Sequence, residues 1–319
     1  MPEHRGAGGF DHADVHSPSD RLYVAHPGND AIDIIDCAAG RYLESIPGLN
    51  AVAGALVSEA RGLVFTSNRG ENTVALFAVG AERELTKIPV GLKPNGLAFD
   101  SDRGLLIAAN VGDPQIPGSH TVSVVDVERR IRIVEIHVPG RTRWCIYDPV
   151  RDRFFINIAA PARIVAVNPR EPTRVDREYE IPAAGPHSLD LDPVSGRLLC
   201  ACDAGLLVAI EASSGRVFGE VPLSGPPDVV VLQSQSRRLY VAIGEPGVID
   251  VVDVDSMRRI GVMPTESGAH TLALDRKRNT VYAFLPGTHR AQVFLETIRR
   301  SSWRLTADVP GSNTQTFGG

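Results

Sequence analysis

His187-Ser188-Leu189-Asp190-Leu191-Asp192 is a short apolar run closed by Asp, and the pattern returns as His270-Thr271-Leu272-Ala273-Leu274-Asp275 and Asn95-Gly96-Leu97-Ala98-Phe99-Asp100. Each is followed by a turn and a second apolar run, led in most units by Arg-Leu or Gly-Leu. A Gly/Asn-rich loop and two further β-rich segments complete the unit. Looser versions open at Asp11-His12-Ala13-Asp14-Val15, Ala53-Gly54-Ala55-Leu56-Val57, Arg143-Trp144-Cys145-Ile146-Tyr147-Asp148 and Asp228-Val229-Val230-Val231-Leu232. Aligned on His12, Ala53, Asn95, Arg143, His187, Asp228 and His270, the units recur every 41–48 residues. Several short strands at such a period form the blades of a propeller.

Blade one resolves into strands near His12–His16, Leu22–His26, Ala31–Asp36 and Tyr42–Ile46, written a to d. Enrichment in Val and Ile, with Gly, Asn and Pro between the runs, favours strands over helices. The sequence therefore predicts an all-β chain, a single seven-bladed β-propeller with four-stranded antiparallel blades over residues 10–307. Residues 1–9 read as a flexible N-terminal segment and 308–319 as a flexible C-terminal tail. Blade seven has candidate strands c and d of its own, which predicts lateral closure with no strand exchanged between the termini.

Tyr23-Val24-Ala25-His26-Pro27-Gly28-Asn29-Asp30-Ala31-Ile32-Asp33-Ile34-Ile35-Asp36 resembles the YVTN repeat, and Phe65-Thr66-Ser67-Asn68-Arg69-Gly70-Glu71-Asn72-Thr73-Val74 is a second copy. The resemblance is to YncE-like seven-bladed propellers and covers nearly the whole chain. It implies the fold; such propellers include enzymes, metal carriers and scaffolds. The loop position usually held by Asn carries His26, Ile158, Cys202, Ile243 and Leu285 here.

The chain has 319 residues, 43% hydrophobic and 22% charged, and a net charge of −5. A packed core is expected. The acidic balance and the lack of a basic stripe argue against a nucleic-acid partner. No apolar run is long enough for a membrane span, and residues 1–9 lack the apolar core of a secretion signal. The four cysteines show no disulfide framework, so a cytoplasmic protein with reduced thiols is expected. Oligomeric state is not legible.

Strand a of each blade lines a propeller's channel, and the d–a and b–c loops open on one face. The first residues of the repeats therefore converge on the channel mouth. Consecutive blades five, six, seven and one supply His187, Asp228, His270 and His12, a set suited to a divalent transition metal such as Zn, Fe, Cu or Ni. A metal-free polar site and structural histidines are the alternatives. Asp228 is the candidate fourth ligand or general base. Across the ring, Arg143 is the candidate clamp for an anionic substrate, with Asn95 and Trp144 beside it and Arg141 near. His26 and His289, on b–c loops of blades one and seven, are candidate substrate groups. Cys202 and Asp203 occupy the matching loop of blade five. The long blade-three loop, Val111 to His120, is a further candidate.

These residues predict a metal-dependent enzyme acting on a small, anionic substrate. A lactone or ester hydrolase or a lyase fits best, by analogy with propeller lactonases and lyases. The alternatives are a non-catalytic metal-binding or protein-interaction propeller, and an iron- or copper-dependent oxidase or oxygenase.

Overall fold

A computed structural model describes residues 1–296 and the backbone of strand 303–309. It contains seven four-stranded antiparallel sheets, each made of four strands consecutive in sequence. Blade one is Ala13–His16, Arg21–His26, Ala31–Asp36 and Arg41–Pro47. The later strands a are Val52–Ser58, Pro94–Asp100, Thr142–Asp148, Pro186–Asp192, Val230–Gln233 and Thr271–Asp275. Among the described residues the helical structure is two three-residue 3₁₀ turns, Ser17–Ser19 and Pro27–Asn29.

The strands a stand side by side around the axis. Strand a of blade one touches both Val52–Ser58 and Thr271–Asp275, so the ring closes laterally, as expected. Strands b and c are buried on both faces, which is why they read as continuous apolar runs rather than alternating ones. Strands d are largely exposed and alternate. In blades one, three, four, five and six the c–d pairing slips by one residue. Such bulges increase twist and blunt the outer edge against further pairing.

The Asp that ends strand a has a local cause. Asp100 and Asp148 are fully buried; each accepts two backbone N–H groups of the following turn and pairs with the Arg three residues on, Arg103 or Arg151. Asp275 and Arg278 repeat the arrangement. The aspartate thus closes an a–b turn far from the mouth.

Residues 1–9 are not a loose segment. Met1 is buried, Gly6 N donates to Gly28 O, and Arg5 N donates to the Asn29 side chain. His4 packs edge-on against Phe10, His26 and His289. The polar composition concealed this docking, because the anchors are single residues among glycines. Of the expected 308–319 tail, residues 310–319 lie outside the described residues. Strand d of blade seven, Trp303–Val309, extends two residues past the expected end of the propeller.

Candidate functional site at the channel mouth

Backbone pairing fixes which residue of each blade faces the mouth. Asp11 N donates to Ala25 O, and Ala25 N to His12 O. Blade six repeats this with Asp228 N to Ala242 O and Ala242 N to Val229 O. Asp11 is therefore the counterpart of Asp228, and His12 that of Val229. The pairings Ala13↔Val24, Leu97↔Ala108, Cys145↔Ile156, Leu189↔Cys200 and Leu272↔Ala283 extend the register. The mouth slot thus holds Asp11, Ala53, Asn95, Arg143, His187, Asp228 and His270.

This corrects the alignment on His12 by one residue. His12 lies one layer inward, at the depth of Trp144, and is 5% exposed. Its ring packs on Trp144 with centroids 4.0 Å apart, and its Nε2 is 3.4 Å from Asp11 Oδ1. Burial pushes its pKa down to about 3, with Arg69, His187 and His270 adding to the shift. His12 and Trp144 floor the mouth; below them the channel continues as a cavity of ≈ 400 Å³ lined by Asp14, Asp190 and Arg276 among others. Trp144 also reaches the apolar cluster of blades six and seven, so its main contacts are structural.

The four slot residues of blades five, six, seven and one alternate as His187, Asp228, His270 and Asp11. His187 Nδ1 is 2.6 Å from Asp203 Oδ1, and its Nε2 is 3.4 Å from Asp228 Oδ1. Arg143 approaches the same nitrogen, with Nη1 3.3 Å away, and its Nη2 donates to Asp203 Oδ2 at 3.1 Å. Asp203 is held below the usual carboxylate range by His187 and then Arg143, against the opposing effect of burial. His270 Nδ1 is 2.7 Å from Gly268 O. Nδ1 of each imidazole is thus anchored; Nε2 of His270 is left for a ligand or a proton, while that of His187 faces Arg143 and Asp228.

Asp11 was missed on the sequence, since its neighbour His12 drew the alignment. Burial, then the Asp228 charge, raise its pKa to about 7, against opposing effects of Arg69, His270 and His187. Arg69 Nη1 lies 3.9 Å from its Oδ2. Asn95 is buried with Oδ1 unpartnered, and Arg143 Nε is likewise buried without a partner. The mouth therefore offers one acceptor and one charged donor with unused hydrogen-bonding capacity.

Among the described residues, no group of three or more His, Cys, Asp or Glu is disposed, as placed, to hold a metal ion. His187, Asp228 and His270 reach one mouth, but Arg143 occupies the approach to His187 Nε2.

His26 is elsewhere. It is fully buried in blade one, with Nδ1 2.7 Å from Asp33 Oδ2 and Nε2 2.6 Å from His4 Nδ1. No substrate reaches a ring with no exposed surface and both nitrogens in use, so its reading as a substrate group is corrected. His289 packs on His4 at a centroid distance of 4.4 Å and belongs to the same seam between blades one and seven. Cys202 is fully buried with its Sγ 3.8 Å from that of Cys200.

No helix among the described residues is long and apolar enough to cross a membrane. No family model and no curated protein matches the chain. Among solved structures it is similar to Kuenenia stuttgartiensis hydrazine synthase, with a TM-score of 0.79 over 91% of this chain and 96% of that chain, at 14% sequence identity. At that identity the likeness establishes a shared fold, and the chain is a seven-bladed β-propeller.

Proposed function

We propose that the channel mouth is the active site of an enzyme acting on a small anionic molecule. One observation carries this reading: blades five, six, seven and one present His187, Asp228, His270 and Asp11 in one structural slot, while Arg143 reaches the same imidazole from blade four. Arg143 has a planar donor set matched to a carboxylate or phosphate. Asn95 Oδ1 suits a hydroxyl or amine donor on the same molecule. His187, oriented through Nδ1 by Asp203, accepts a proton at Nε2. Asp11 retains a proton close to neutrality and serves as the acid. A carboxyl acid beside an imidazole base oriented through its other nitrogen is an arrangement suited to acid–base chemistry. In ester or lactone hydrolysis, His187 takes the proton of the attacking water and Asp11 protonates the departing alkoxide. In a lyase step, the same base removes a proton from the carbon beside the anchored carboxylate, the bond from the next carbon to its oxygen substituent breaks as the double bond forms, and Asp11 protonates the departing oxygen.

A screen of lactones, esters and hydroxy acids tests this. The expected result is turnover that is lost in His187→Gln and in Arg143→Lys. Turnover untouched by both variants would place the chemistry elsewhere.

A second reading, that the arc holds a divalent transition metal such as Zn, Fe, Cu or Ni, is favoured by the anchoring of both Nδ1 atoms. Carboxylate and carbonyl partners of this kind orient metal-binding imidazoles. His187 and His270 would bind through Nε2, with Asp228 and Asp11 beside them, once Arg143 moved aside. Such a metal supplies Lewis-acid activation of water or a carbonyl, or oxidation where it is iron or copper. Elemental analysis after metal addition and dialysis decides: no retained metal removes this reading, and retained metal without turnover makes the protein a carrier. The segments Tyr23–Asp36 and Phe65–Val74 support placement among YVTN-repeat propellers. Four buried, unpaired cysteines support a reducing compartment, the cytoplasm.

A further inference from the structure

Beside the mouth, between the loops of blades two, three and four, lies a cavity of ≈ 430 Å³ lined by Arg69, Lys93, His120 and Arg141 with Val111, Gly112 and Pro114. Its charges are poorly matched. Lys93 has Asp113 at 3.1 Å, on the outer, half-exposed side. Arg69 has Asp11 only at 3.9 Å. No described carboxylate pairs with Arg141, whose charged form is disfavoured by burial and then by Arg143 and Arg69.

The wall of this cavity is built rather than loose. Val111 N and Gly112 N donate to Lys93 O and Leu92 O. Ser119 Oγ accepts from Asp113 N and donates to Asp113 O, both at 2.8 Å. Gly112 sits at φ +75, and a Cβ there would lie 2.7 Å from Ser119 O, so only glycine fits. His120 Nδ1 is fixed on Val111 O at 2.6 Å, which leaves Nε2 without a protein partner. Lys93, Arg69, an anchored imidazole and an arginine without a carboxylate are arranged around a space large enough for a small group.

We propose that this cavity is a second anion subsite, so that the molecule bound at the mouth carries two anionic groups. One is met by Arg143; the other, a carboxylate or phosphate, is met by Arg69, Lys93 and Arg141. This rests on the reading of the mouth as an anion site and narrows its substrate class to small dianions. Val111 and Pro114 line the apolar part of the same cavity.

Calorimetry with the full chain at fixed low ionic strength tests the idea. The probes are succinate, glutarate and adipate against butyrate, valerate and hexanoate, with phosphonopropionate to separate phosphate from carboxylate at the tail. The expected result is that the best dianion binds roughly tenfold or more tighter than its monoanion, the worth of a charge-assisted contact. Lys93→Gln with Arg141→Gln should remove that advantage, bringing dianion affinity down to that of the monoanion, whose own binding weakens only slightly. Both residues are surface side chains, and the Gln replacements keep the stems and the fold. Equal affinity for mono- and dianions in the unaltered protein, an advantage that survives the double change, or no dianion binding at all would overturn the proposal. Arg143→Lys separates the two claims. Loss of monoanion binding there upholds the mouth even if the tail subsite fails. Dianion binding that survives it but not the double change makes the cavity an independent anion site, and the linked dianionic substrate is then wrong.

Discussion

Two clusters of imidazole and carboxylate lie close to blade one, at the channel mouth and at the seam with blade seven, and they differ in how far they open to solvent. At the seam, Tyr42, Ser45, Asp33, His26 and His4 form a continuous hydrogen-bonded chain. His26 and Asp33 have no exposed surface, and their polar atoms are consumed within the protein. At the mouth, burial and then the Asp228 charge raise the pKa of Asp11, and burial lowers that of His12 with Arg69, His187 and His270 adding to the shift. Asn95 and Arg143 each keep an unpartnered polar atom. At the seam, His4 Nε2 and His289 Nδ1 are also buried without a partner, so the difference lies in access: the His26–Asp33 pair is sealed inside the fold and stabilises it, whereas the mouth pair of His187 and Asp228 is partly exposed and can meet an external ligand.

The largest effect expected from this contrast is at the seam. His26→Ala strands a fully buried Asp33 oxygen and should cost about 3 kcal/mol or more of stability, with anion binding at the mouth unchanged. Urea unfolding measures it, and an unmoved midpoint would break the contrast. Next is Arg143→Lys, which keeps charge but loses the planar fork. Anion affinity should fall roughly ten- to a hundredfold with little change in thermal stability; a large stability loss instead would make Arg143 a seam-like residue.

Asp11→Asn sharpens the comparison through pH. The folded-state pKa of Asp11, about 7, lies above the ordinary aspartate value of 3.8. Between these values the native protein holds a proton that the unfolded chain has lost, so this group's contribution to stability falls as pH rises from 3.8 to 7. Asn mimics the protonated acid. In chelator-treated buffer the variant should be more stable than the parent at pH 8, and the gap should close on acidification. The smallest effect is at His4, whose pKa is lowered by burial and then by His26 and His289. Below about pH 6.5 the unfolded chain takes up a proton that native His4 resists, so stability drops as pH falls. His4→Gln should flatten that decline slightly.

The seven blades were legible because a propeller repeats its burial pattern with its sequence. His187, Asp228, His270 and Arg143 were legible because one slot per repeat faces the axis. Asp11 was not, because both residues of Asp11-His12 are polar and only the hydrogen bond to Ala25 decides which faces the mouth. A one-residue shift in a strand turns the side chain to the other face. His26 was misplaced for another reason: its exposure is removed by residues far earlier in the chain, and nothing local to the b–c loop announces that cover. Arg69, Lys93 and Arg141 come from three different loops, so no local motif links them.

Closure at the seam also has a consequence in time. His4 and Phe10 pack against His289 and Phe284, partners almost the whole chain away. As the polypeptide emerges during synthesis, blades one to six can each form from consecutive strands, and His4 and Phe10 can already meet His26 of blade one, but their contacts with His289 and Phe284 must wait for the last blade. Ring closure is therefore the latest event available to this chain, and contacts of such long sequence separation form slowly. Until then, the side of blade one that meets blade seven, including the faces of His4 and Phe10 that pack on His289 and Phe284, remains open to water and to any chaperone that recognises it.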